Sequence, residues 1–416
     1  MAGRRGRAPS DVRAAILRAP SSHSLVVPPV KGVDLPPAQE LLATPAASGC
    51  RRVALAFLDS AVAARDRLED ATDVEALHDF RVALRRTRSW IRAFGDELSG
   101  SIRKRHRRRL GTISEAAGRA RDAEVHAAWL RDIEGSLRAR EKLGAEWLLQ
   151  RVADTKRNED LALRTVIADE FSPTATALTK ELAVYRVRVD LRNPVTPPTL
   201  GQVLGPLVRS QAVALGDRLA AVQSVQDQAV AHAARIAGKR LRYLLEPVAE
   251  VLHGGPPLLK QLRSLQDTIG DMHDVHVMAE EVIQAAEVAG AEQARRVAMA
   301  LLEGDGSAEA LRVERTRDPR PGLLAIATHL RSRAELTFSG LQHQWLGERA
   351  HLLTTAAWAV ADQLTPDAAG GCPESTSAGA RTGAPQNGDL AIRVDQATAA
   401  PTAANESAKD IPETAS

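Results

Sequence analysis

An internal repeat is the feature of this sequence that most constrains its fold. The segment His78–Arg88 has the pattern H-x-x-R-V-x-x-R-R-x-R, and His232–Arg242, which begins 154 residues later, has the pattern H-x-x-R-I-x-x-K-R-x-R. The segments Leu110–Val125 and Leu262–Val277 also share Leu, Gly, Asp and Val positions, at an offset of 152. Two matches in the same order at nearly one offset are not expected by chance. The sequence therefore predicts two similar halves, divided at the proline-rich segment 194–198.

The spacing of apolar residues predicts helices in both halves. In residues 73–98 the apolar side chains form one stripe of an amphipathic helix. This stripe consists of Leu77, Phe80, Leu84, Ile91, Phe94 and Leu98. Further helices are predicted at about 48–70, 101–133, 138–168, 173–190, 200–223, 226–252, 257–289, 322–337 and 344–364. Because no segment has a convincing strand pattern and the abundant Ala, Leu and Arg are strong helix formers, the predicted fold class is all-α.

The two ends of the chain differ from its middle in composition. Residues 1–45 mix Arg, Pro and Ser, and residues 366–416 are rich in Ala, Thr, Gly, Pro and Ser. We expect both extensions to be disordered, because neither can bury enough apolar surface to offset the entropy lost on ordering. The helical domain is therefore predicted at 46–365, with halves at about 46–192 and 199–365.

The cysteine content and the absence of long apolar runs bear on the compartment. Two cysteines, Cys50 and Cys372, are too few for a disulfide framework. The N-terminal residues lack the apolar stretch of a secretory signal, and no run approaches the roughly 18 apolar residues of a membrane span. We expect a cytoplasmic protein that has no membrane partner.

Positive charge is concentrated in the repeated region. The formal net charge is +3. The window 78–109, however, contains eleven Lys and Arg against three Asp and Glu, and the window 232–263 contains six against two. Segregated positive charge of this kind indicates an anionic partner.

The spacing of the basic residues places them on one face of each repeated helix. His78, Arg81, Arg85, Arg88 and Arg92 fall within a stripe about 80° wide that flanks the apolar stripe. Such a row favours a groove between helices. Like charges at these spacings repel by a few tenths of a kcal/mol per pair. A bound polyanion would offset that repulsion, and the planar guanidinium suits phosphate. Alternatively, the arginines form a solvated face or pair with acids on neighbouring helices.

The second half repeats this stripe with His232, Arg235, Lys239 and Arg242. We expect His78 and His232 to contact the anion, with the pKa of each imidazole raised beside it.

Two further features accompany the motif. The run Arg103–Arg109 wraps around its helix, so part of it must be solvated; within it, Arg108 aligns with Lys260, which makes these two the better candidates for additional contacts. Asp122 and Asp274 each follow a glycine by four residues. We expect them to orient a motif arginine or to form hydrogen bonds within the helical bundle.

The repeated segments resemble the CHAD family, the conserved-histidine α-helical domains. The resemblance rests on 78–86, which reads HDFRVALRR, on 235–243, which reads RIAGKRLRY, and on LQDTIG at 265–270 followed by His273-Asp274. It spans about 46–365. It implies two four-helix bundles related by pseudo-two-fold symmetry, with basic residues and histidines facing a shared surface that binds inorganic polyphosphate at polyphosphate granules. The Glu-x-Glu-x-Lys motif of the triphosphate-tunnel domain fused to some relatives is absent, so triphosphatase activity is not implied.

We therefore predict a non-enzymatic polyphosphate-binding protein without cofactor or metal. The predicted binding residues are His78, Arg81, Arg85, Arg86, Arg88, Arg108, His232, Arg235, Lys239, Arg240, Arg242 and Lys260. One alternative is RNA or DNA binding by the same surface, although Trp90 and Tyr243 are almost the only aromatic side chains that the basic helices offer for base stacking. The other is a metal-dependent phosphohydrolase, which the pair His273-Asp274 resembles only weakly without further spaced ligands. The sequence identifies no protein partner for the two extensions.

Overall fold

The computed structural model describes residues 35–70, 72–184, 196–302 and 307–364, and within these ranges the chain is helical and has no β-strand. The first half contains α1 (Ala38–Ala43), α2 (Ala46–Arg67), α3 (Ala76–Ala93), α4 (Lys104–Ile133), α5 (Ala139–Val166) and α6 (Ser172–Ala183). The second half contains α7 (Leu200–Ala220), α8 (Gln228–Leu245), α9 (Gly255–Leu302), α10 (Ala308–Thr316), α11 (Arg320–Trp345) and α12 (Glu348–Asp362). The all-α prediction is confirmed.

The helices pack in the same order in the two halves. In the first half α3 packs against α2 and α4, α5 against α4, and α6 against α2. In the second half α8 packs against α7 and α9, α11 against α9, and α12 against α7. Equivalent helices also meet between the halves, since α2 contacts α7, α3 contacts α8, and α5 contacts α11. The repeat in the sequence thus corresponds to a repeat in packing, while the exact two-fold relation stays a prediction.

Each buried apolar cluster draws side chains from both halves. The larger cluster includes all six residues of the predicted stripe, of which Phe80 and Leu84 on α3 and Phe94 just after it are completely buried. The smaller cluster joins the C-terminal part of α4 and the middle of α9 to α5 and α11, through residues such as Leu148 and Leu323. Because apolar burial is the main favourable term in folding, these shared clusters stabilise the packing of the two halves against each other.

Several helix boundaries differ from the predicted ones. Helix α9 continues to Leu302 instead of ending at about 289, since the added residues are mostly good helix formers and Gln293 is buried against its neighbours. Helix α8 ends at Leu245, before Pro247, which lacks an N–H and restricts the residue that precedes it. Helix α11 extends to Trp345, well beyond the predicted 337.

Part of the predicted N-terminal extension is ordered, which corrects the expectation for residues 35–45. Helix α1 lies there, and its Leu41 is completely buried in the larger cluster. This burial supplies the apolar contact that the composition did not indicate. Helix α10 was not predicted either. The remainder of the predicted disordered extensions, 1–34 and 366–416, lies outside the described residues.

Helices α5 and α11 touch through their backbones at Gly144 and Gly322. A Cβ atom at Gly144 would lie 2.4 Å from the carbonyl oxygen of Pro319 and 2.6 Å from the Cα of Gly322. We expect Gly144→Ala to lower the free energy of unfolding by about 1–3 kcal/mol, because the helix backbones must separate. Urea denaturation followed by circular dichroism measures this.

Gly340, in the same helix as Gly322, provides the control, since a Cβ atom there meets nothing within 4 Å. Gly340→Ala is expected to stabilise the protein by up to about 1 kcal/mol through helix propensity alone. A Gly144→Ala variant as stable as Gly340→Ala would contradict the close contact.

Candidate functional site

The two repeated basic helices bring their cationic side chains together. Where α3 meets α8, Arg81 and Arg85 lie near Arg235, Lys239 and Arg242, and we call these five residues the cation cluster. Burial lowers the pKa of Arg81, and the guanidinium groups of Arg85 and Arg235 lower it further, although Asp122 opposes them. The motif residues of the two halves therefore form one surface.

Lys239 lies among the other four members of the cation cluster. Burial lowers the pKa of its ammonium well below the usual range, and the charges of Arg85, Arg235, Arg81 and Arg242 act in the same direction. No Asp or Glu in the described ranges lies within ion-pair distance of its Nζ atom. The environment of Lys239 is therefore strongly positive.

Carboxylates balance part of this charge. Arg81 Nη2 lies 3.2 Å from Asp122 Oδ1, as expected for an aspartate that orients a motif arginine. The equivalent Asp274 influences Arg235 electrostatically, and burial raises the pKa of its carboxyl group. Among the described residues, the buried Nε atoms of Arg85 and Arg235 have no hydrogen-bond partner. Buried donors are normally satisfied, so these two groups are suited to an anionic acceptor.

Burial and neighbouring cations favour the neutral form of the histidines at the site. Burial lowers the pKa of His78 to about 4, together with the charges of Arg121 and Arg85. His273 also has a pKa of about 4, because of burial and the nearby Arg235, and its ring centroid lies 4.7 Å from that of His232. Burial lowers the pKa of His232 as well. We expect a bound anion to raise the pKa values of His78 and His232, and in the free protein these values lie below the ordinary value for histidine.

At one position of the repeat, the two halves carry side chains of opposite charge. Arg86 Nε lies 2.6 Å from Glu246 Oε2 in a buried ion pair that connects the halves, and Glu246 Oε1 lies 3.2 Å from Arg242. The residue equivalent to Glu246 in the first half is Arg92. Arg92 instead lowers the pKa of Arg240, alongside the larger effect of burial.

The remaining predicted residues have separate environments. Burial lowers the pKa of Arg88, as does its neighbour Arg92, while Glu115 opposes this. Arg108 and Lys260 are exposed, and neither forms an ion pair with any residue that the structure describes. The structure thus groups His78, His232 and their neighbours around the cation cluster, and it places Arg108 and Lys260 as isolated surface cations.

Sequence reasoning missed a cavity next to the cation cluster. It has a volume of about 290 Å³, lies between α4, α9 and α11, and is lined by Arg121, His126, Trp129, Asp271, Asp274 and Arg333, among others. His126, Trp129 and Arg333 belong to neither repeated motif. The repeat of Arg121-Asp122 as His273-Asp274 was the one signal that pointed toward this region.

The aromatic residues of the basic helices are not available for stacking. Trp90 is completely buried, and its Nε1 donates a hydrogen bond of 3.0 Å to the carbonyl oxygen of Cys50. Tyr243 is 2% exposed, with the Arg242 guanidinium 4.9 Å from the centre of its ring. Neither presents an open ring face to a nucleic-acid base.

The described residues were expected to contain neither a membrane span nor a metal site. None of the helices combines the length and the apolarity that crossing a bilayer requires. No group of three or more His, Cys, Asp or Glu side chains in the described ranges is placed to hold a metal ion.

The fold and site define an α-helical domain whose two halves each contribute a basic, histidine-containing helix to one cationic surface. The profile of the CHAD domain family matches residues 52–283, which include both repeated motifs, and the chain belongs to this family. No curated protein matches the chain.

Two solved structures are similar to this chain. The CHAD domain from the plant Ricinus communis is 19% identical, with a TM-score of 0.48, and the match covers 72% of this chain and 93% of that one. PptA from Streptomyces chartreusis is 16% identical, with a TM-score of 0.49 and coverage of 78% and 99%.

The depressed histidine pKa values predict how stability depends on pH. We expect the free energy of unfolding to fall as the pH is lowered from about 6.5 to about 4. Over that range the unfolded chain takes up protons at His78 and His273, whereas the folded chain does not. Replacing His78 by Gln should make the slope shallower, as measured by urea denaturation at a series of pH values.

His351 is exposed on α12 and serves as the control. His351→Gln should leave the slope as it is in the parent protein. A slope that His78→Gln does not alter would contradict a buried, neutral His78.

Proposed function

We propose that this protein binds inorganic polyphosphate without chemically altering it, and that the cation cluster is the centre of the binding surface. The observation that carries the proposal is the convergence of Arg81 and Arg85 with Arg235 and Lys239, four cations from two separate repeats. Such crowding is unfavourable in the free protein, and a polyanion removes the repulsion.

The chemistry of the cluster suits a chain of phosphates. Arginine donates paired hydrogen bonds to phosphate oxygens, and the unsatisfied Nε atoms of Arg85 and Arg235 add two further donors. Polyphosphate carries a negative charge on every phosphate and has no apolar part, so it needs neither aromatic platforms nor an apolar pocket. His78 and His232 lie beside the cluster and would gain protons as the anion binds.

Association with polyphosphate granules follows from this proposal as the cellular consequence. A protein that holds one segment of a long polyphosphate chain is retained wherever such chains accumulate. The alternative of RNA or DNA binding is less well supported, because Trp90 and Tyr243 are both buried.

Charge reversal at the centre of the cluster tests the binding site. We expect the double variant Arg81→Glu with Arg235→Glu to lose affinity for long-chain polyphosphate by about a hundredfold or more, since each charge-assisted hydrogen bond contributes about 1.5–3 kcal/mol. Retention on immobilised polyphosphate at low salt is the measurement, and circular dichroism verifies helicity. The double Gln variant, which adds no negative charge, should show a smaller loss in the same direction.

A matched control reverses two exposed arginines elsewhere. Arg312 and Arg331 have side chains that are 75% and 83% exposed, so Arg312→Glu with Arg331→Glu changes the net charge equally. This control should retain most of its affinity. Equal losses in the two double variants would show that net charge, and not the cation cluster, determines binding.

Salt and competition distinguish polyphosphate from nucleic acid. We expect affinity for polyphosphate to fall steeply with salt, because binding releases counterions from the polyanion. Polyphosphate should displace RNA far more effectively than RNA displaces polyphosphate, as measured by fluorescence anisotropy with labelled ligands. RNA that competes equally well would favour a nucleic-acid function, and phosphate release with Mg²⁺ or Mn²⁺ would indicate a hydrolase.

A further inference from the structure

The cavity between α4, α9 and α11 has a wall that is partly apolar. Its volume is about 290 Å³, and Val275, Met278 and Leu330, which line it, are each at most 6% exposed. Trp129 on α4 also lines the cavity, and this half-buried side chain packs against the same apolar cluster. A space of this size lies at the small end of the range for ligand pockets, so it suits a compact molecule with an apolar body.

The rest of the wall carries more negative than positive charge. Its acidic and guanidinium groups belong to Glu124, Asp132, Asp271, Asp274, Arg121 and Arg333. Arg121 Nη1 lies 2.8 Å from Glu124 Oε2, so these two charges balance each other. Burial lowers the pKa of His126, which therefore favours its neutral form. Three aspartates thus remain against the single guanidinium group of Arg333, and the cavity favours a cation over an anion.

The carboxylates of these three aspartates are free to bind a ligand. Neither Asp132, Asp271 nor Asp274 forms an ion pair or accepts a side-chain hydrogen bond from any residue in the described ranges. Asp271 and Asp274 are three residues apart on α9, so they lie on the same face of the helix. Asp271 is half-buried, whereas Asp132 and Asp274 are exposed. The acidic part of the wall therefore reaches the solvent, from which a ligand can enter.

The charge state of Asp271 also fits a missing cation. Burial raises the pKa of its carboxyl group, and Asp274 acts in the same direction, while Arg333 opposes them. A cation bound beside these two carboxylates favours their ionised forms and thus offsets the cost of burying Asp271.

We propose that this cavity binds a compact organic cation, an ammonium group attached to a single ring or a short apolar chain. The ammonium group donates hydrogen bonds to Asp271 and Asp274. The apolar body fills the space beside Met278 and Leu330, and the ring of Trp129 offers a face that attracts cations. A metal ion fits this site less well, because no group of three or more possible ligands in the described ranges is placed to hold one.

Titration of the full chain with 2-phenylethylamine, which is protonated at neutral pH, tests the site. We expect a dissociation constant of about 1 mM or lower. The nuclear magnetic resonance signal of the Trp129 indole N–H should shift more than those of the other four tryptophans, and Trp129→Phe identifies this signal. The neutral 2-phenylethanol and the anionic 3-phenylpropionate contain the same ring, and each should bind at least about tenfold more weakly because neither forms the ion pair.

A matched pair of variants separates the cavity from net charge. Asp271→Asn keeps the shape of the side chain and should weaken binding of 2-phenylethylamine by about fivefold or more. Asp217→Asn, at an exposed position on α7, changes the net charge equally and should bind like the parent protein. Circular dichroism verifies that both variants remain helical.

Three results would overturn this inference. They are a Trp129 signal that does not shift up to about 10 mM amine, equal binding of the amine and the alcohol, and equal affinities of the two Asn variants. The titrations contain no polyanion, so their outcome does not depend on whether the protein binds polyphosphate.

Discussion

The packing of α3 against α8 is the constraint on which the rest of the structure depends. It holds like charges together, and Coulomb repulsion at partly desolvated positions opposes it. The apolar faces of the same helices supply the compensation, because Phe80 and Leu84 on α3 and Leu241 on α8 are completely buried in the larger cluster. The cationic surface therefore exists because apolar burial elsewhere on the same helices outweighs its repulsion.

One substitution between the repeats decides how the charge is distributed. Glu246 accepts a hydrogen bond from Arg86 and forms an ion pair with Arg242, so it balances positive charge at that end of the surface. Arg92 at the equivalent position instead adds to the charge near Arg88 and Arg240. The buried Arg86–Glu246 pair also fixes the contact between the halves, since removing one partner would leave an uncompensated charge. The surface is therefore more positive toward Arg92 than toward Glu246.

The sequence predicted the elements that periodicity controls. The apolar stripe of α3, the doubled motif and the α-helical class follow from spacings of three and four residues, which a helix converts directly into faces. The sequence did not predict the side-chain environments that depend on packing against other helices. The neutrality of His78 reflects burial and Arg121 on α4, and the ordering of α1 depends on a pocket for Leu41. The predicted row from His78 to Arg92 also divides between two environments, which spacing alone does not distinguish.

The low pKa values of His78, His273 and Lys239 share one origin. Burial disfavours the charged form of each group and is the larger cause, and the charges of nearby arginines lower each pKa further. An anion reverses this balance, because its charge favours the protonated forms that the arginines disfavour. In the proposed function, anion binding and proton uptake would therefore be coupled, and a lower pH would strengthen binding through each group whose pKa is higher in the bound than in the free protein.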